Sequence, residues 1–189
     1  MLPSSLFSDF EPSVDDARRE LAGDLVRSSY IRGNFLLSAG SRSTYYFDKY
    51  LFATNPSILR RLGRFLGDLI PADVERVAAP ERGAVLLGGA VALQLGLPLV
   101  LIPRTDTYSP HVQRPFAGEL YPGERVAVIE DVVITGRQAL GAVRRLRSLG
   151  ATVSAVVAVL DRDGGADAAL RQVGTRYYPL FNVHDLPVE

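Results

Sequence analysis

The chain has 189 residues, enough for one domain or for one domain with a small lid. Its 21 Lys and Arg balance its 21 Asp and Glu, so it carries no broad electrostatic footprint for nucleic acid or an anionic membrane. Cysteine is absent, which excludes disulfides, thiolate nucleophiles and cysteine–zinc sites, while 47% hydrophobic residues suffice for a full core.

Nearly all of the positive charge is arginine, with Lys49 the only lysine. Phosphate chemistry, if there is any, is therefore expected to run on arginine. Met1 to Phe10 has no basic run and contains Asp9, unlike a secretion signal. Gly83 to Pro103 is apolar except for Gln94 and long enough to suggest a membrane span. Gly96-Leu97-Pro98 divides it into a buried helix and a buried strand. A cytoplasmic protein that contacts neither membrane nor nucleic acid is the expectation.

Residues up to Pro12 read as an arm. Ser13 is placed as an N-cap with Asp15 and Asp16 in the first turn, and Val14, Ala17, Leu21, Leu25 and Val26 recur at helical spacing to about Ser28. Tyr30 to Leu37 and Thr44 to Tyr50 alternate around a turn-rich segment, which predicts a β-hairpin standing outside the main sheet as a hood. Asn55-Pro56 starts the next helix, which an apolar stripe carries to Ile70.

From Val74 onward, short apolar runs alternate with helical patterns. Strands are expected near 74–79, 99–102, 126–130, 152–160 and 176–181, with helices over Gly83–Leu95, Ala139–Leu149 and Ala166–Val173. This alternation predicts an α/β fold: a doubly wound, mainly parallel sheet in a core over 56–189, preceded by arm, helix and hood over 1–55. Residues 103–123 show little periodicity, and a loop that long in a compact domain is usually a functional lid or disordered.

Two stretches carry chemistry. In Arg125-Val-Ala-Val-Ile-Glu-Asp-Val-Val-Ile-Thr-Gly-Arg-Gln138, a buried strand ends in Glu130 and Asp131, followed by a small turn and a helix. In open α/β sheets ligands bind at the carboxyl ends of strands, and a helix start there offers bare N–H groups to a phosphate. Two carboxylates beside it suit vicinal hydroxyls, so the set fits a sugar phosphate. The plain alternative is a strand end and a helix cap. Pro80-Glu81-Arg82-Gly83 repeats the strand–turn–helix arrangement with Arg82 adding positive charge; its plain alternative is an ordinary β–α connection.

The stretch over 125–138 resembles the phosphoribosyl-pyrophosphate (PRPP) signature of type I phosphoribosyltransferases, and its Glu-Asp-Val-Val form is most similar to the orotate enzymes. Phe35-Leu-Leu-Ser-Ala-Gly-Ser-Arg-Ser-Thr-Tyr-Tyr-Phe-Asp48 resembles their hood, and Asp161-Arg162-Asp163-Gly164-Gly165 their Asp-Arg-x-x-Gly-Gly run. The resemblance covers about Asp15 to the end. It implies transfer of ribose 5-phosphate from PRPP to orotate. Mg²⁺ would be carried on the PRPP, reaching the protein at Asp131, with no metal bound by the chain directly. Glu130, Asp131 and Arg104 become the catalytic set, the two carboxylates on the ribose hydroxyls and Arg104 with Arg82 on pyrophosphate. Thr135, Gly136 and Arg137 would hold the 5′-phosphate, while Arg162, Phe35 and Ser38 would hold the base. A homodimer is implied, because the family's lid serves the neighbouring subunit.

The chain departs from the pattern in places. The lid reads Arg104-Thr-Asp-Thr-Tyr-Ser-Pro-His111, with Thr105 and Tyr108 at the family's lysine positions and His111 displaced by one. Ile134 stands where a threonine is usual. Arg137 either adds a guanidinium–phosphate contact or fills the phosphate pocket. Two alternatives stay open: a phosphoribosyltransferase for another base, and a non-catalytic regulator that binds PRPP or a nucleotide.

Overall fold

The computed structural model describes residues 13–36, 42–103 and 116–188. Ser38, Arg104 and most of the lid loop, including His111, lie outside them.

Helix α1 (Val14–Ser29) begins where Ser13 Oγ accepts from Asp16 N, as its sequence predicts. Strands β1 (Tyr30–Leu36) and β2 (Arg42–Phe47) pair antiparallel as the hood. The second strand ends three residues before the sequence pattern suggests. Asp48 accepts from Tyr50 N and starts a short helix, α2 (Lys49–Ala53), that the alternating aromatics conceal. Asn55 caps α3 (Pro56–Asp68) through Ser57 N and Ile58 N, with Pro56 at the first position.

Five parallel strands form the main sheet: β3 (Arg76–Pro80), β4 (Leu99–Ile102), β5 (Arg125–Val133), β6 (Thr152–Asp161) and β7 (Arg176–Asn182), in the order β4-β3-β5-β6-β7. Helices α4 (Ala84–Leu95), α5 (Arg137–Ser148) and α6 (Ala166–Gln172) connect them. Alternation along the strands decides the layers. Val77, Ile129, Val157 and Leu180 face a core shared with α1, α3 and α4. Ala78, Val128, Val156 and Tyr177 face the other core, shared with α5 and α6. Both faces are therefore covered, as the unbroken apolar strands require.

Two boundaries differ from expectation in ways that matter. Strand β5 continues through the acidic pair to Val133, because β6 pairs with it over the same length, Glu130 beside Ala158 and Val133 beside Asp161. Helix α5 starts at Arg137, two residues early, directly on the turn. Its last-turn arginines tie it to its neighbours: Arg145 donates to the Pro103 carbonyl, and Arg147 to Val173 O and Thr175 Oγ1.

Candidate active site

The helices fall into two kinds at their N-termini. Side chains of Ser13, Asp48 and Asn55 cap α1, α2 and α3. Helices α4, α5 and α6 start instead on Gly83, Gly136 and Gly165, with no side-chain cap. Those three starts lie at the carboxyl ends of β3, β5 and β6. Their first-turn N–H groups are the ones left for an anion.

The acidic pair lies between the first two of these starts. Glu130 and Asp131 are each 4% exposed. Being consecutive in a strand, they leave it on opposite sides. Asp131 meets the hood side: its Oδ2 lies 2.7 Å from Lys49 Nζ, and its Oδ1 accepts from Val132 N at 2.5 Å. On the other side, the negative charge of Glu130 adds to the burial and the Asp161 charge that push the Tyr177 phenol far above its ordinary range.

Gly83 closes on the same point. A Cβ there would stand 1.8 Å from Asp131 Oδ2 and 2.6 Å from Lys49 Nζ. Any side chain would drive apart the β3–α4 turn, β5 and α2. The Glu81–Arg82 peptide of that turn is cis, and Arg82 is exposed.

The phosphate-like turn and the Asp161–Gly165 turn interlock. Gly136, at φ 71°, is backed by Ala166, where a Cβ would come within 3.2 Å of Ala166 Cα. A Cβ on Gly164 would come within 2.6 Å of the Ile134 carbonyl oxygen. Thr135 and Arg137 are exposed on this turn. Arg137 is the first residue of α5, beside the bare amides.

Arg162 follows β6 and turns to the hood. Its Nε donates to Tyr45 Oη at 3.2 Å, and its Cζ lies 4.5 Å from the Tyr45 ring centroid. Tyr45 stacks on Tyr30 at 5.1 Å. Arg162 is thus not spent on a strand-end ion pair: Asp161 accepts from Asp163 N, and Asp163 faces His184. Phe35 packs on Tyr46 instead, one strand residue from Tyr45 and hence on the other face of the hairpin. The hood side chain that reaches Arg162 is Tyr45.

The structure therefore brings Asp131, Gly83, Thr135, Gly136, Arg137, Glu130 and Arg162 to one end of the sheet, and it leaves Phe35 away from Arg162. Sequence reasoning misses Lys49 and Tyr45. Lys49 stands directly after the helix cap Asp48, which is the signal that turns it out of the hairpin. A cavity of about 390 Å³ lined by Asp167, Arg171 and Arg176 lies between α6 and β7 and contains none of the predicted site residues.

The phosphoribosyl transferase domain family matches residues 53–172. The orotate phosphoribosyltransferase of Methanocella arvoryzae is 40% identical over 82% of this chain and 87% of its own. That of Pyrococcus furiosus is 36% identical over 89% and 94%. Among solved structures, the Mycobacterium tuberculosis orotate phosphoribosyltransferase in complex with Fe(III) dicitrate superposes with a TM-score of 0.81 at 30% identity, over 91% of this chain and 99% of that one. The same enzyme in complex with PRPP superposes with a TM-score of 0.76 at 29% identity. The chain belongs to the phosphoribosyltransferase family, and its relatives there are orotate phosphoribosyltransferases.

Proposed function

We propose that the protein is an orotate phosphoribosyltransferase, forming orotidine 5′-phosphate and pyrophosphate from PRPP and orotate. The observation that carries this is the pair of bare helix starts, at Gly83 and Gly136, flanking two buried carboxylates at the end of β5. A donor with a phosphate at each end and hydroxyls between them has that layout.

In this reading the amides of Gly136 and the first turn of α5 take the 5′-phosphate, with Thr135 and Arg137 at their rim. The start of α4 with Arg82, and Arg104 from the lid, take pyrophosphate. Glu130 and Asp131 line the ribose from the two sides of the strand end. A ring N–H nitrogen of orotate gives up its proton to solvent and forms a bond to the anomeric carbon as the bond from that carbon to the pyrophosphate oxygen breaks. The electron pair leaves with pyrophosphate, so donors aimed at that group stabilise the transition state most. Arg162 offers a fork to the orotate carboxylate, which a purine lacks. Tyr45, and not Phe35, supplies the aromatic ring on the hood side of the base site, with Ser38 as a further contact.

The fold family uses Mg²⁺ with PRPP. Among the described residues no group of three or more His, Asp or Glu gathers to hold a metal. The donors at this site, Glu130 and Asp131, suit an ion already held by diphosphate oxygens, with Asp131 the protein oxygen it would meet. Mg²⁺ bound there would supply positive charge against the diphosphate.

A homodimer is part of the reading. Leu86 and Leu93, two turns apart on one face of α4, are 44% and 87% exposed, an apolar face beside the site. Light scattering at micromolar concentration tests it, with the dimer mass expected.

The deciding experiment is turnover of orotate with PRPP and Mg²⁺ by the purified protein, run beside calorimetry of PRPP. Orotidine 5′-phosphate and pyrophosphate in equal amounts are expected. Binding of PRPP without orotate turnover, but with turnover of another base, would reassign the acceptor.

A further inference from the structure

We infer that Lys49, the only lysine of the chain, is a positioning residue of the ribose site that keeps Asp131 aimed and charge-balanced for PRPP. This rests on the proposed reaction and adds to it a residue from the hood.

Three segments distant in sequence meet at one point: Lys49 at the start of α2, Asp131 near the end of β5, and Gly83 at the start of α4. The ammonium lies 2.7 Å from Asp131 Oδ2, and the Lys49 side chain is 24% exposed against 5% for Asp131. Asp131 Oδ1 is held separately by Val132 N. Both carboxylate oxygens are thus oriented by the protein before a ligand arrives, and each keeps a lone pair for a hydroxyl donor.

PRPP is a polyanion, and a carboxylate pair on its path repels it. A lysine ammonium within salt-bridge distance of Asp131 cancels that repulsion locally. Gly83 marks where the pyrophosphate side begins, and its missing Cβ leaves space that Lys49 Nζ and Asp131 Oδ2 occupy. The ammonium therefore stands between the ribose carboxylate and the helix start that faces pyrophosphate. Helix α2 is fixed there by the Asp48 cap and by buried Phe52 and Ala53, so the position of Lys49 is built, not incidental.

The absence of cysteine allows a clean test. Lys49→Cys introduces the sole thiol. Alkylation with 2-bromoethylamine restores an ammonium of nearly lysine length; alkylation with iodoacetamide adds similar bulk without charge. Expected is a rise in KM for PRPP of about tenfold or more in the Cys variant, with KM for orotate nearly unchanged. Aminoethylation should return KM for PRPP toward the parent value, and carboxamidomethylation should not. A PRPP KM unchanged in the Cys variant, or equal recovery by both reagents, overturns the inference while leaving the reaction in place.

A second measurement needs no substitution. Reductive ¹³C-methylation of the parent protein labels Lys49 and the N-terminal amine, which resonate apart. The Lys49 signal should move on addition of PRPP and stay in place on addition of orotate alone. A stationary Lys49 signal while calorimetry shows PRPP bound overturns the inference alone. Absence of PRPP binding in the parent protein overturns the proposed reaction and this inference with it.

Discussion

Arg162 lies against the face of Tyr45, its Cζ 4.5 Å from the ring centroid and its Nε donating to the phenol oxygen. The contact joins the end of β6 to the hood. With Nε held, a two-point contact to a carboxylate falls to the terminal nitrogens. Arg162→Ala should weaken orotate binding by about 2–4 kcal/mol and PRPP binding far less. Tyr45→Phe removes the hydrogen bond and keeps the ring, so a loss of about 1 kcal/mol in orotate binding is expected. Calorimetry with each ligand checks both; equal losses for the two ligands in Arg162→Ala would refute the carboxylate assignment.

Gly83→Ala tests the convergence on Asp131. A methyl group 1.8 Å from a carboxylate oxygen forces movement of the turn, the strand end or Lys49. The substitution should lower kcat/KM for PRPP by about a hundredfold or more, since displacements of about 1 Å have that effect at a reacting centre. Steady-state kinetics would show it, and a variant with parental kcat/KM would place the turn outside the site.

Asp161 contributes a pH dependence of its own. Burial, reinforced by the charge of Asp163, raises its pKa above the usual 3.8. A carboxyl whose folded pKa is raised binds its proton more tightly when folded. Its ionisation then opposes folding, fully so above the folded pKa and not at all below about 3.8. Asp161→Asn keeps an acceptor for Asp163 N and removes the charge. It should raise Tm at pH 7 by a few degrees, about 1 kcal/mol, with the difference fading as pH falls toward 3. Thermal melts across that range decide the sign.

Asp24 has the opposite sign. Arg61 on α3 and Arg27 hold its carboxylate, the hydrogen bond from Arg61 chiefly, and its pKa is lowered. The stability it gives is present above 3.8 and lost as pH falls through the lower, folded value. Asp24→Asn should cost about 1 kcal/mol at neutral pH, diminished at high salt. Urea titrations at pH 7 and pH 3 should show the two proteins converging at the acid end.

Local signals made much of this fold legible. The Ser13 and Asn55 caps, Pro56 and the apolar strand runs mark elements where neighbours in sequence decide the structure. The two layers follow from strand alternation. What escaped was set by distant partners. Strand β5 runs three residues past Glu130 because β6 pairs along it, which the apolar run alone does not reveal. The place of Lys49 beside Asp131 escaped as well, because Thr44 to Tyr50 alternates like one strand until Asp48 is seen as a cap. Tyr45 rather than Phe35 meets Arg162 because the hairpin's two faces differ by one residue, and which face turns inward depends on docking.

The interlock of the two glycine turns carries a consequence for substrate choice. Gly164 seats on the backbone of Ile134, and Gly136 seats on Ala166, so the turn before α5 and the turn that carries Arg162 pack directly on each other. Under the proposed function this packing sets the distance between the 5′-phosphate and the acidic ring. In that reading a nucleotide one bond longer or shorter would meet one grip and miss the other, and selectivity for span would come from two absent side chains.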